Sequence, residues 1–215
     1  LTVTRATSTP VIDGELNDDV WQALPHYSFV DAKTAGRANV QTTFQICYDG
    51  TNLYLAFNAS ESGQEMQVEG PATHDDPALF RADAVEVFLQ PGGVGAPYYQ
   101  IAVNPKGGVY DARITPGESS DKQWQAEGLR INGATVPDRF RVELAISFAS
   151  LGVKPPKPGD AWRANFGRTE QPSGALAAWA PAEGSGSFHA ANRYGTLRFS
   201  KDAPLPNMNK NEIAT

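Results

Sequence analysis

The stretch that decides the fold is VQTTFQICYDGTNLYLAF, residues 40–57. Its first half alternates between two sets of side chains, with Phe44 and Ile46 in the apolar set. A period of two is that of a β-strand with one face on a core. The dipeptide Asp49-Gly50 is a hairpin turn signal, and Leu53, Leu55 and Phe57 continue the apolar face beyond it. The stretch therefore predicts two antiparallel strands.

The same pattern recurs along the chain, between segments that hold many of the 20 glycines and 16 prolines. Val85, Val87 and Leu89, for example, share one face of a further strand. Strands are predicted near residues 84–89, 99–104, 108–114, 129–136, 140–146, 162–169 and 194–200, and short helical turns near residues 18–24 and 148–151. This pattern is typical of an all-β, single-domain antiparallel β-sandwich, immunoglobulin-like or jelly-roll-like, over residues 1–200. Residues 201–215 have the composition of a polar tail or linker stub.

Composition narrows the classes of partner. The chain has 215 residues, 18 Lys plus Arg against 24 Asp plus Glu, and a net charge of −6. An acidic balance of this kind argues against binding to nucleic acid or to anionic membranes. No run approaches the roughly 18 apolar residues of a membrane-spanning helix. The single cysteine, Cys47, excludes an internal disulfide and a cysteine-based zinc site.

The sequence lacks the common nucleophile-elbow, P-loop, dinucleotide-binding and zinc-protease motifs. Its three histidines are far apart, so a histidine metal site could arise only through folding. Acidic residues are dense over residues 75–83, where Asp75, Asp76 and Asp83 offer the oxygen ligands that suit calcium. The alternative is that these aspartates bond nearby backbone amides in turns and caps.

Two aromatic residues, Phe80 and Phe188, fall in predicted loops, where a ring can offer a flat apolar face to a sugar. Glu86 lies on the opposite strand face from the apolar set of its strand, and Gln100 and Asn104 do so in the next strand. If the apolar sets face the core, these polar groups share the other side of the sheet. An ordinary solvated sheet face is the alternative interpretation.

Five strings follow one another along the chain: VIDGELNDDVW (11–21), YDGTNLYLAF (48–57), DAVEVFLQPG (83–92), YYQIAVNPKGGVYDAR (98–113) and YGTLRF (194–199). Together they resemble the family 9 carbohydrate-binding modules and their wider family 9-like, DOMON-related relatives. The resemblance implies a β-sandwich that binds oligo- or polysaccharide such as xylan or glucan without catalysis. It also implies structural calcium, and a secreted or periplasmic protein attached to or associated with a glycan-degrading enzyme.

In that family a sugar is clamped between two tryptophans, and the corresponding positions here are Phe80 and Phe188. Glu86 and Asn104 match sugar-bonding positions of the family. The arginine expected two residues before Asn104 is absent, and Arg168 and Arg113 are candidate replacements from neighbouring strands.

Two other functions remain open at this stage. A haem-binding electron-transfer domain of the related cytochrome type needs an axial methionine, for which the chain offers Met66 and Met208. A polysaccharide-active enzyme needs two carboxylates, for which Glu86 could pair with Asp83 or Glu143. A structural or protein-interaction domain with a decayed sugar site is a further possibility.

Overall fold

The computed structural model describes residues 1–61, 70–171 and 173–202. Thirteen strands join into one hydrogen-bonded sheet. They are β1 (Thr2–Arg5), β2 (Tyr27–Ser28), β3 (Val30–Asp31), β4 (Thr42–Tyr48), β5 (Asn52–Ser60), β6 (Ala84–Gln90), β7 (Tyr98–Val103), β8 (Val109–Ile114), β9 (Arg130–Val136), β10 (Arg139–Ser147), β11 (Ala161–Glu170), β12 (Ala175–Ala178) and β13 (Gly195–Ser200). The helical elements are α1 (Asp19–Gln22) and two 3-10 turns, η1 (Pro77–Arg81) and η2 (Ala191–Arg193).

The main path through the sheet runs β8-β7-β6-β11-β13-β1-β4-β5-β10-β9. The strands before β1 in this order form the first half of the sandwich, and those after β1 form the second half. The ladders within each half are antiparallel, whereas β1 pairs in parallel with both β13 and β4. The predicted all-β sandwich is confirmed. The prediction did not include strand β1, which joins the two halves by parallel pairing.

The main core lies between the two halves. Val85, Val87 and Leu89 face inward from the first half, as their alternation predicts, and Phe44 and Phe57 face them from the second. Burying such side chains contributes about 1.5 to 3 kcal/mol each. The period-two pattern therefore determines which side chains of these strands face the core and which lie on the outer faces of the sandwich.

The elements that the sequence pattern did not indicate are short. Strands β1, β2, β3 and β12 have two to four residues, which is too few for a recognisable alternation. Strand β13 ends at Ser200, and residues 203–215 of the predicted tail lie outside the described residues. No helix among the described residues is long and apolar enough to cross a membrane.

The outer faces of the two halves are covered differently. The outer face of the second half is covered by the N-terminal segment, whose Trp21 packs over Tyr54 and Ala145. The outer face of the first half is covered in two separate patches, one around Leu79 of η1 and one around Phe188. An open cavity borders both patches.

Candidate functional site

The cavity on the outer face of the first half has a volume of about 430 Å³. This volume lies within the range of about 300 to 1,000 Å³ that is usual for small-ligand sites. Its lining comes from strands β6, β7, β8, β11 and β12 and from the loops that flank them: Phe80, Glu86, Gln100, Tyr110, Ser120, Thr169, Leu176, Gly186, Ser187, Phe188 and His189. Four of the seven predicted sugar-binding residues, Phe80, Phe188, Glu86 and Gln100, are therefore brought to one cavity.

Phe80 is presented to the cavity by η1. The Asp76 side chain caps this turn by accepting a hydrogen bond from the Ala78 backbone N–H at 2.8 Å, and Leu79 is buried against the sheet. The next side chain, Phe80, is left 36% exposed, with its ring centroid 5.0 Å from that of Tyr110 in an edge-on arrangement. The wall therefore holds an aromatic pair, of which the sequence pattern indicated only Phe80.

Phe188 lines the cavity but is only 7% exposed. Its ring lies directly on β11 at Gly167, where an added Cβ would be 2.8 Å from the ring. Phe88 packs beside it with ring centroids 6.2 Å apart. The expectation of an open loop ring at this position was wrong, because a glycine in the strand makes room to bury the ring. Phe188 is thus a fixed part of the wall.

The polar part of the lining is the pair Glu86 and Gln100, which lie on adjacent strands. The Gln100 amide donates to the Glu86 carboxylate at 2.8 Å, and both side chains are nearly buried. Burial raises the pKa of Glu86 to about 7, although the hydrogen bond from Gln100 acts in the opposite direction. A carboxyl with this pKa can accept or donate hydrogen bonds near neutral pH.

His189 is a cavity residue that the sequence pattern did not indicate. Its Nδ1 lies 3.0 Å from the Tyr98 hydroxyl, and its ring packs edge-on against Phe88 at 5.2 Å. Burial lowers the pKa of His189, which favours the neutral imidazole. The cavity therefore contains a neutral donor and acceptor in addition to the Glu86 pair.

Arg168 and Arg113 do not reach this cavity. Arg168 pairs in register with the core residue Val85, so its side chain points to the inside of the sandwich and is 1% exposed. There it forms ion pairs with Glu61 and, at 3.5 Å, with Asp83. Arg113 pairs in register with Tyr99, whose ring packs on the core, and therefore also lies on the other face of the sheet.

Asn104 is also engaged elsewhere. Its side chain accepts hydrogen bonds from the backbone N–H groups of Lys106 and Gly108 and donates to the Pro71 carbonyl at 3.0 Å. The amide is buried and holds together the turn after β7 and the segment before η1. The family-matched asparagine is therefore a structural residue in this fold.

The three aspartates predicted to bind calcium each have different partners in the structure. Asp76 caps η1, whereas buried Asp83 accepts a hydrogen bond from the Gln171 backbone N–H and pairs with Arg168. Asp75 instead lies with His74 and Asp111. Calcium needs about six to eight oxygen ligands. The predicted set does not converge on such a site.

The two-carboxylate alternative is not supported by this geometry. Glu86 lies on the outer face of the first half, whereas Glu143 is buried on the outer face of the second half beneath Trp21. Asp83 is committed to Arg168. Met66 and Met208, the candidate haem ligands, lie outside the described residues.

Solved structures share this fold. A protein from Bacteroides uniformis that is proposed to bind carbohydrate matches with a TM-score of 0.74 and 17% identity, over 93% of this chain and 98% of that chain. A family 9 carbohydrate-binding module from Caldicellulosiruptor kristjanssonii, in complex with glucose, matches with a TM-score of 0.61 and 18% identity over 98% and 99%. The complex of such a module from the same organism with cellotriose matches with a TM-score of 0.61 and 17% identity, over 96% of this chain and 98% of that chain.

Sequence comparisons point the same way. An "Extracellular protein" from Arthroderma benhamiae is 25% identical over 178 residues, which cover 74% of this chain and 78% of that protein. The model of the family described as "Carbohydrate family 9 binding domain-like" matches residues 12–201. This range includes every residue that lines the cavity. The chain therefore belongs to the carbohydrate family 9 binding domain-like family.

Proposed function

We propose that this protein binds a neutral oligo- or polysaccharide of the glucan or xylan type in the cavity, without catalysis. The observation that carries the proposal is that one cavity combines the exposed ring of Phe80 with the nearly buried Glu86–Gln100 pair. A pyranose ring has apolar C–H faces and a rim of hydroxyl groups. An aromatic wall and a carboxyl–amide pair are complementary to these two surfaces.

The charge of the lining favours a neutral sugar over an acidic one. The cavity is lined by Glu86 and His189 and by no lysine or arginine among the described residues. A carboxylate or sulfate on a ligand would meet no cation there and would be repelled by ionised Glu86. The proposal therefore specifies glucosyl or xylosyl units and excludes uronates.

The comparisons support this substrate class and suggest a location. The Caldicellulosiruptor kristjanssonii module was solved with glucose and with cellotriose, and the Arthroderma benhamiae relative is described as extracellular. We infer that this protein acts in a secreted or periplasmic setting. There it would target an attached or associated glycan-degrading enzyme to its substrate.

Titration calorimetry with cellotriose and xylotriose tests the proposal. We expect dissociation constants in the millimolar to micromolar range, about −4 to −8 kcal/mol, because a sugar gives up good hydration on binding. Phe80→Ala is expected to weaken binding at least about tenfold, since it removes the exposed ring. Val94→Ala, which truncates another exposed apolar side chain outside the cavity lining, is the matched control. Equal affinity of all three proteins would refute the site.

A second variant tests the polar part of the site. Glu86→Gln keeps the shape of the side chain but removes the charge-assisted hydrogen bonds that a carboxylate accepts, so we expect affinity at pH 8 to fall about tenfold. The same samples are assayed for release of reducing sugar from xylan and cellulose. Release that depends on Glu86 would replace the binding function with a catalytic one.

A further inference from the structure

We propose that His74, Asp75 and Asp111 form a binding site for a divalent transition-metal ion of the zinc type. The segment that carries His74 lies beside β8, because His74 forms a parallel bridge with Val109. Asp111 projects from β8 on the face opposite to Tyr110 and therefore away from the sugar cavity. The three residues offer one ligand atom each within 4.8 Å of one another.

His74 has a carboxylate beside each of its ring nitrogens. Its Nδ1 lies 3.0 Å from the Asp75 carboxylate and its Nε2 lies 3.4 Å from Oδ2 of Asp111. A neutral imidazole carries one N–H, so one ring nitrogen presents a lone pair to a carboxylate oxygen. Two facing acceptors repel each other unless a proton or a metal ion lies between them.

Asp111 provides an independent indication of a missing partner. The side chain is 1% exposed, and its Oδ2 accepts a hydrogen bond from the Ala126 backbone N–H at 2.7 Å. Its Oδ1 is buried and has no hydrogen-bond partner among the described residues. A buried carboxylate oxygen without a donor is costly, and a bound cation would compensate it.

The ligand types favour zinc over calcium. Tetrahedral zinc binds imidazole nitrogen and carboxylate oxygen at about 2.0 to 2.2 Å, which places neighbouring ligand atoms roughly 3.3 to 3.6 Å apart. The 3.4 Å between His74 Nε2 and Asp111 Oδ2 is close to this spacing. Asp75 lies 3.0 Å from the other ring nitrogen, Nδ1, where its carboxylate would orient the imidazole for metal binding through Nε2. His74 and Asp75 have side chains that are 41% and 37% exposed, so water can complete the coordination. Calcium would instead require a site made mainly of oxygen atoms.

Calorimetric titration of the untagged, chelator-treated chain with Zn²⁺ tests the proposal. We expect one equivalent to bind, with affinity reduced at least about tenfold in His74→Ala, because a nitrogen ligand is removed. His26→Ala, which truncates an exposed histidine elsewhere, is the matched control and should bind Zn²⁺ like the parent. Titration with Ca²⁺ should give no comparable binding.

An observation on the parent protein keeps the test independent of the fold of a variant. Zinc should shift the ring resonances of His74 in an NMR spectrum and leave those of His189 unchanged. Absence of zinc binding, equal binding by His74→Ala, or a preference for Ca²⁺ would overturn the proposal. In the first case the cation between His74 and Asp111 would be a proton alone.

Discussion

The two outer faces of the sandwich each carry a nearly buried glutamate in the middle of a strand, and the two carboxylates are used differently. Glu143 accepts hydrogen bonds from the backbone N–H groups of Asp13 (2.9 Å) and Gly14 (2.6 Å) and from Trp21 Nε1 (2.6 Å). Among the described residues, Glu86 accepts one hydrogen bond, from Gln100. The first carboxylate anchors the N-terminal segment, whereas the second borders an open cavity.

The number of hydrogen-bond donors distinguishes Glu143, whose carboxylate has a structural role, from Glu86, whose carboxylate can still accept hydrogen bonds from a ligand. Burial raises the pKa of both groups, and at Glu143 the three donors oppose that effect. A buried carboxylate with unused acceptor capacity is costly in the free protein and gains when a ligand supplies hydroxyl groups. The pair Glu86 and Glu143 therefore offers a direct comparison by identical substitutions.

The largest expected effect is that of Glu143→Gln on stability. The amide NH2 of the new glutamine would replace one carboxylate oxygen of Glu143 and would face N–H donors, with which it cannot form a hydrogen bond. We expect the free energy of unfolding at pH 7 to fall by about 3 kcal/mol or more, since hydrogen bonds to a charged group contribute about 1.5 to 3 kcal/mol each. Urea unfolding measures it, with Glu86→Gln as the control. A loss of equal size in the control would contradict the distinction between the two glutamates.

The next effect concerns the pH dependence of stability. The pKa of Glu86 rises from 4.5 to about 7 on folding, so the folded protein binds more protons between these pH values. Its contribution to stability therefore falls as pH rises through this window. Glu86→Gln should remove that slope and gain on the order of 2 to 3 kcal/mol at pH 8 relative to the parent. Unfolding at pH 5 and pH 8 measures it.

Part of the slope should remain in both proteins. Burial raises the pKa of Glu61 to about 7 as well, in spite of its ion pair with Arg168. The expected result is therefore a difference between the two pH profiles and not a flat line for the variant. Coincident profiles for parent and variant would show that Glu86 is not desolvated.

The smallest effect is expected for a substitution at Gly167. It would displace the Phe188 ring in the cavity wall and leave Glu86 and Glu143 unchanged. Gly167→Ala would place a Cβ within 2.8 Å of the Phe188 ring, and such overpacking typically costs about 1 to 3 kcal/mol. Thermal unfolding and cellotriose titration should both show a loss. Gly50→Ala, where no atom lies within 4 Å of the added Cβ, is the control. A variant with unchanged sugar affinity would mean that Phe188 does not shape the site.

Local alternation was sufficient to predict the sandwich and the polar part of the cavity. The pattern of residues 40–57 forms the hairpin of β4 and β5, and the alternation around Glu86 and Gln100 correctly assigned both to the outer face. The inward orientation of Arg168 was also available from the pattern, since it continues the inner set of Trp162 and Phe166 in β11. The resemblance to a family with an arginine in its site led to the wrong face.

The other site features depend on contacts between distant segments. The burial of Phe188 depends on Gly167 in a separate strand, and no local pattern around Phe188 reports it. The approach of His74 to Asp111 depends on a single bridge to β8. In physical terms, a period of two reports which face of a strand a residue occupies, but not which loop covers that face.

The parallel pairing of β1 with β13 has a mechanical consequence. Because the two strands run in the same direction, the start of β1 and the end of β13 lie at opposite ends of their shared ladder. A force pulling on both termini would load these hydrogen bonds in shear, all at once, instead of unzipping them one by one. A domain stretched between these two strand ends would resist extension along this axis.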